Sequence, residues 1–308
     1  MKASKAAQNE YIIRTISEEK GHKMKHDLIS RIEKAMPELS KSQRAIGNYI
    51  IANYDKSAYL TASKLGAAVG VSESTVVRFA IELGYDGYPA LQHALRELIR
   101  TRLTSVQRME ITNKRIGDNS VLSTVLRSDM DKIKETLETV DPAAFEGAVD
   151  TLLGARTIYV MGVRMTGSLA SFLTFGLSMI FPNVKQIQTS SGGEIFEQLL
   201  RVGEGDVIIP ITFPRYSKRI VRGVEYARSY GAKVIALTDS DVSPVAEFAD
   251  YLLTARSDMA SFIDSLVAPL SIINALIVAL SRAKQDELTD TFARLEAVWD
   301  EFDVYNRE

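Results

Sequence analysis

The 308-residue sequence contains no cysteine, one tryptophan and three histidines. Without cysteine the chain has neither a disulfide framework nor thiolate chemistry, which fits a reducing cytoplasm. The histidines, His22, His26 and His93, all lie in the first third of the chain. No set of His, Asp and Glu residues has the spacing of a metal site, so we expect no metal.

The sequence also lacks an uninterrupted apolar run of membrane-spanning length. Its most apolar segment, residues 262–280, contains Asp264, Pro269 and Asn274, and a buried helix explains it better than a span. The first 25 residues are rich in lysine and glutamate and do not look like a secretory leader. We therefore expect a cytoplasmic protein with no membrane partner.

Charge is unevenly distributed along the chain. Residues 1–116 carry 19 Lys and Arg against 12 Asp and Glu, whereas residues 117–308 carry 18 against 27. A basic front and an acidic back indicate that only the front meets a polyanion, although chance segregation of surface charge gives the same pattern.

Four segments follow from the hydrophobic pattern and its interruptions. We expect a polar N-terminal extension (residues 1–23), an all-helical domain (24–110), a polar linker (111–120) and a C-terminal domain (121–308). In the last of these, Asp141 is placed to cap a helix that begins with Pro142.

Residues 61–84 have the pattern of a helix-turn-helix. Thr61 can cap a first helix, Gly70 supplies the turn, and Ser72 can cap a second helix that buries Val76 and Phe79. Small residues at 67 and 68 are expected to let the helices approach. The predicted DNA-binding residues are Thr61, Ser72, Glu73, Ser74, Thr75 and Arg78.

These side chains suit the N-terminal part of a helix in the major groove. Small hydroxyls allow close approach of the backbone, Arg78 can reach a phosphate or a guanine, and Glu73 can accept from a cytosine amino group. The alternative is an ordinary helix pair in which Ser72 is only a cap.

Residues 39–50, 62–65 and 70–88, with the run GVSESTVVRF followed by LGYDGY, resemble the N-terminal domain of the RpiR family of bacterial transcription regulators. The resemblance implies a DNA-binding domain that precedes a sugar isomerase (SIS) domain. Family members tend to start close to Met24, in agreement with an extension before that residue.

After Gly154, short β-rich runs alternate with helical stretches. The runs lie at 157–161, 184–188, 207–212, 233–238 and 251–255. This alternation predicts an α/β fold, a doubly wound α-β-α sandwich around a five-stranded parallel sheet. Two further helices, at about 263–284 and 285–302, are expected to close the chain.

Ligands of such sheets bind beyond the carboxyl ends of the strands, where the strand order reverses. The loops after the first three strands are rich in hydroxyls and glycine, and two of them carry an arginine that can clamp an anion. The predicted ligand-binding residues are Arg164, Thr166, Ser168, Ser190, Ser191, Glu194, Thr212, Arg215 and Ser217. Ser168 and Ser217 are open to the alternative that they merely cap helices.

Residues 155–256 resemble a SIS domain. The resemblance implies a phosphosugar ligand, and it implies that residues 121–308 form a ligand-sensing and oligomerisation domain. Two loops depart from the pattern of that domain: Arg164 replaces the second glycine of Gly-x-Gly, and Pro214-Arg215 replaces a central Ser-Gly. We interpret the change as an altered but still anionic ligand, with a lost pocket as the alternative.

A sensor is expected rather than an enzyme. Isomerisation needs a proton-moving base, and Glu194 is the only candidate that the resemblance points to, so a phosphosugar isomerase with Glu194 as base is the alternative. Gly162-Val163-Arg164 lacks a dinucleotide fingerprint, so no cofactor is expected. The expected partners are an operator in double-stranded DNA, a small anionic sugar or sugar-phosphate effector, and further copies of the chain in a homodimer or tetramer.

Overall fold

The structure, a computed structural model, describes residues 28–305 except 59, 103 and 189–192. The chain forms two compact units that divide between Leu103 and Thr104. The expected extension, residues 1–23, lies outside the described residues. The domain bounds set from the sequence stay predictions.

The described part of the first unit is helical throughout. Its helices are α1 (Leu28–Ala35), α2 (Lys41–Ala52), α3 (Tyr54–Ser57), α4 (Ala62–Val69), α5 (Glu73–Glu82) and α6 (Tyr88–Arg102). Ile32, Ile46, Leu65, Phe79 and Leu91, from five of these helices, are fully buried. Apolar burial at one centre therefore holds the helices together.

The second unit begins with three helices, α7 (Ser105–Ile116), α8 (Val121–Thr139) and α9 (Pro142–Leu153). Residues 111–116, expected in the polar linker, are instead the second half of α7. Thr104 starts this helix with a capping box to Gln107. The hydrophobic pattern missed the inward face of α7 because its buried residues are Arg108 and Thr112. Asp141 caps α9 as predicted, accepting from the Ala143 amide at 2.9 Å.

The sheet is confirmed as five-stranded and parallel, in an α/β fold. Its strands β1 (Thr157–Gly162), β2 (Val184–Ile187), β3 (Asp206–Ile211), β4 (Lys233–Thr238) and β5 (Tyr251–Thr254) are ordered β2-β1-β3-β4-β5. The accompanying helices are α10 (Met165–Ser178), α11 (Glu194–Gln198), α12 (Lys218–Ser229), α13 (Val267–Ala283) and α14 (Gln285–Glu301). All strand pairs are parallel.

The sheet has a packed core on each face, because alternate strand residues point to opposite sides. Ile158 and Val160 of β1 face the layer of α9, α10 and α13, whereas Tyr159 and Met161 face α11 and α12. The helix expected from residue 263 begins only at Val267, so residues 255–266 form a loop.

Among the described helices, none is alone long and apolar enough to cross a membrane. The pair α13 and α14, bent by 98° at its break, passes that test only when joined.

Candidate functional site

The turn between α4 and α5 has the geometry expected of a helix-turn-helix. Thr61 caps α4 by accepting a hydrogen bond from the Lys64 amide at 3.2 Å. Gly70 ends that helix with a φ of 75°, a left-handed conformation that costs glycine nothing. Sequence reasoning therefore placed both ends of the first helix correctly.

The two helices approach at Gly66, a residue that the sequence analysis missed. A Cβ atom at Gly66 would lie 2.7 Å from the carbonyl oxygen of Val71. Ala67 and Ala68, which were expected to allow the approach, are exposed. The available signal was position, since Gly66 follows the buried Leu65 on the inward side of α4.

The outer side of α5 is polar and faces solvent. Ser72, Glu73, Ser74 and Arg78 are exposed and Thr75 is half-buried. Val76, Phe79 and Ala80 anchor the other side in the core. The predicted reading residues of α5 are thus at least partly accessible, and their role in DNA binding stays a prediction.

Hydrogen bonds restrain two side chains on the outer side of α5, those of Ser72 and Arg78. The bonds of Ser72 differ from the predicted cap. Ser72 occupies the N-cap position without a capping hydrogen bond. Its hydroxyl bonds instead to the hydroxyls of Ser74 and Thr75, at 2.9 and 2.8 Å. The Arg78 Nε donates to the Ser74 carbonyl at 3.3 Å, which folds the guanidinium back along the helix.

The second candidate site lies at the carboxyl ends of β1 and β3. From β1 the chain moves to β2 on one side, whereas β3 leads to β4 and β5 on the other. The crevice of a doubly wound sheet opens at such a reversal. Gly162 pairs with Ile211 at the strand ends, so the loops that carry Arg164 and Arg215 flank this crevice.

Arg164 and Arg215 have φ angles of 56° and 69°. Positive φ is the region that favours glycine, and a non-glycine residue held there is strained by about 1–3 kcal/mol. At both positions the sequence pattern of the SIS domain has glycine. The backbone has thus kept a glycine-like conformation in both loops, while the side chain has become a guanidinium.

The two arginines share an electrostatic environment. Partial burial lowers the pKa of Arg215 below its usual range, and the positive charges of Arg108 and Arg164 lower the pKa further. The Asp264 carboxylate acts in the opposite direction. Three charged groups thus act on Arg215, and two of the three are positive.

The hydroxyl residues predicted to bind the ligand differ in the hydrogen bonds that they make. The Thr166 hydroxyl accepts from the Val163 amide and donates to the Val163 carbonyl, both at 3.0 Å, so it closes the first loop. Ser168 does not cap α10, because this helix begins at Met165. Ser217 is at the N-cap of α12 but makes no capping hydrogen bond.

The remaining predicted ligand residues are less informative. Thr212 is buried at the end of β3, where its amide donates to the Leu237 carbonyl at 3.1 Å. Glu194 is half-buried as the first residue of the five-residue α11. Ser190 and Ser191 lie outside the described residues.

A cleft of about 420 Å³ lies beside the first loop. It is lined by Asp129, Met165, Ser168, Ala260 and residues 263–267. Sequence reasoning missed the contribution of the loop before α13, which it assigned partly to a helix. The available signal was Asp264, a carboxylate inside an otherwise apolar segment.

Two family models match the two halves of the chain. The helix-turn-helix domain of the rpiR family matches residues 26–101, and the SIS domain matches residues 151–279. An HTH-type transcriptional regulator of Clostridium perfringens is 24% identical over 75% of this chain and 82% of its own length. The regulator HexR of Escherichia coli is 23% identical over 88% of this chain and 93% of its own.

Solved structures agree with this division. The sugar isomerase domain of an RpiR transcription factor from Sphaerobacter thermophilus has a TM-score of 0.54 at 25% identity, over 57% of this chain and 97% of that domain. NanR of Vibrio vulnificus, solved in complex with ManNAc-6P, has a TM-score of 0.56 at 21% identity, over 90% of this chain and 99% of NanR. At that identity NanR shows the fold alone.

The chain is therefore a DNA-binding transcription regulator that combines a helix-turn-helix unit with a SIS domain. More particularly, it belongs to the RpiR family of such regulators.

Proposed function

We propose that operator binding by this regulator is modulated by a small anionic sugar metabolite, a phosphosugar or a related acid, bound at the carboxyl ends of β1 and β3. In this proposal the SIS domain senses the metabolite and does not transform it. DNA is read by Ser72, Glu73, Ser74, Thr75 and Arg78, with Thr61 setting the first helix. Regulation of operator DNA in a bacterium requires a cytoplasmic location.

The observation that carries the proposal is the positive φ of Arg164 and Arg215. Strained residues of this kind cluster at functional sites. Two guanidinium groups that flank one crevice can each bind an oxyanion in bidentate fashion. Ser168 and Ser217, neither of which makes a capping hydrogen bond, can add hydroxyl contacts to a sugar.

We also propose that the regulator is a homo-oligomer. The most apolar helix, α13, buries Ala268, Ile272, Ile273, Leu276 and Leu280 in its own domain. An exposed apolar stripe lies on α8 instead, formed by Leu122, Leu126, Met130, Ile133 and Leu137. Successive residues of the stripe are four, four, three and four positions apart. This spacing keeps their side chains on one face of α8, as in paired helices. Pairing through this face would bring together two DNA readers for two half-sites.

Substituting glycine for either arginine tests the sensor proposal. Arg164→Gly and Arg215→Gly relieve the positive φ, so each should stabilise the ligand-free chain by about 1 kcal/mol after the flexibility of glycine is counted. Each should also lose the thermal stabilisation given by an anionic sugar, which for the unmodified chain should reach about 2.7 kcal/mol at a hundred times Kd. Thermal unfolding with a panel of sugar phosphates and acidic sugars measures both effects.

Asp303→Gly is the matched control. Asp303 has a φ of 48° but lies near the C-terminal end of the described chain, almost 90 residues after Arg215. It should share any gain in stability and keep the response to anionic sugars. Undiminished stabilisation in both arginine variants would rule out the crevice as the sensor site.

A further inference from the structure

Arg108 lies on α7, outside every loop that the SIS pattern assigns to ligand binding. Its side chain is only 1% exposed. One terminal nitrogen donates to the Phe262 carbonyl at 3.2 Å, and the other pairs with the Asp264 carboxylate. Its Nε is buried and has no hydrogen-bond partner within the described part of the chain. A buried guanidinium with an unused donor is costly unless something else binds it.

Asp264 connects Arg108 to the proposed sensor site. This carboxylate lines the cleft that Ser168 and Met165 also line. Arg108 and Asp264 both act on the charge of Arg215, so the pair lies within electrostatic reach of that loop arginine. Asp264 is the counter-ion of Arg108.

Arg108 also lies close, along the chain, to the division between the two units. Its amide donates to the carbonyl of Thr104, the N-cap residue of the helix, at 3.0 Å. Thr104 is the first residue after the division between the two units. Arg108 therefore lies one helical turn from the segment at which the chain leaves the DNA-reading unit.

We propose that Arg108 is an effector-binding residue. Its guanidinium is paired with the Asp264 carboxylate until the anionic group of the effector replaces that carboxylate as the partner. The exchange couples occupancy of the cleft to the start of α7. This inference rests on the proposed function, because it requires that the cleft binds an anion. The Asp264 carboxylate and the effector anion compete for the Arg108 guanidinium. Coupling between sites arises from such differential contacts.

The experiment measures binding of inorganic phosphate to the full-length chain by calorimetry. Asp264→Asn keeps the size of the side chain and removes the competing charge, so it should bind phosphate at least about tenfold more tightly than the unmodified chain. The double variant Arg108→Gln/Asp264→Asn carries no unpaired buried charge and should lose that gain. A gain that disappears only when Arg108 is absent identifies Arg108 as the group that binds the anion.

Asp129→Asn is the matched control for general electrostatics. Asp129 lines the same cleft but pairs with Lys132 at 3.5 Å. Its substitution should change phosphate affinity by much less than Asp264→Asn. Equal gains from both variants would overturn the inference.

Amide exchange reports on the second half of the proposal. Phosphate should change the exchange of residues 105–109 in the unmodified chain and leave it unchanged in Arg108→Gln/Asp264→Asn. Failure of the inference and failure of the proposed function are distinguishable. If Arg215→Gly abolishes phosphate binding while the Asp264→Asn chain binds as the unmodified one does, the inference is overturned and the sensor site stands. If neither the unmodified nor the Asp264→Asn chain binds phosphate or any anionic sugar, both are overturned.

Discussion

At the scale of single residues, two glycines on either side of the loop between β1 and α10 have opposite requirements. A Cβ atom at Gly162 would lie 2.4 Å from the carbonyl oxygen of Thr166. A Cβ atom at Gly167 would have its nearest neighbour, the Gly162 carbonyl oxygen, at 3.7 Å. The first glycine is therefore needed for close approach between β1 and α10, and the second is not.

This difference predicts opposite effects of the same substitution. Gly162→Ala should destabilise the chain by about 1–3 kcal/mol, because the methyl group meets backbone that has no room to move. Gly167→Ala should stabilise it by about 1 kcal/mol, because alanine is the better helix former in α10. Thermal unfolding of the two variants checks the pair. A tolerated Gly162→Ala would show that the loop is looser than described.

Residues also show where sequence reasoning reached its limit. The sequence predicted Arg164 and Arg215 as an anion clamp, and the structure places both beside one crevice. It gave the same role to Thr166, whose hydroxyl is already bonded within its own loop. A residue type shows which bonds a side chain can make, whereas the fold decides which of them are already made.

At the scale of elements, the reading helix α5 was predictable from the sequence. Its apolar spacing, the glycine turn and the cap at Thr61 are local features, and each is determined within one or two turns of helix. The boundary of α7 was not predictable in this way. Its buried face carries Arg108 and Thr112, whose burial depends on a loop about 150 residues further along the chain.

The reading helix carries its own prediction. Arg78→Ala should weaken binding to a duplex selected by the unmodified chain by about 1–3 kcal/mol if Arg78 contacts a base. Titrations at one fixed salt concentration measure this, because phosphate contacts depend on salt. Arg127→Ala removes the same charge from the exposed surface of α8 and should leave affinity unchanged. Equal affinities for the Arg78 variant and the unmodified chain would exclude Arg78 from the interface.

At the scale of the whole molecule, the stripe on α8 predicts how copies of the chain associate. Met130→Lys places a charge in the stripe, where Met130 is 68% exposed in the isolated chain. The dissociation constant between copies should rise by about tenfold or more, because the interface would have to bury an unpaired ammonium. Asp131→Lys introduces the same group on the next residue, which points about 100° away, and should have little effect. Sedimentation of both variants checks the prediction, and equal behaviour would exclude the stripe as an interface.

The sequence by itself determined the helical front, the helix-turn-helix, the five parallel strands and the family, because these follow from local periodicity and a short signature. Tertiary structure alone decided that the backbone at Arg164 and Arg215 is glycine-like, and that Arg108 is paired with Asp264. Each of these depends on contacts between residues distant in the chain. Periodicity describes which face of an element is apolar, and only packing determines what that face meets.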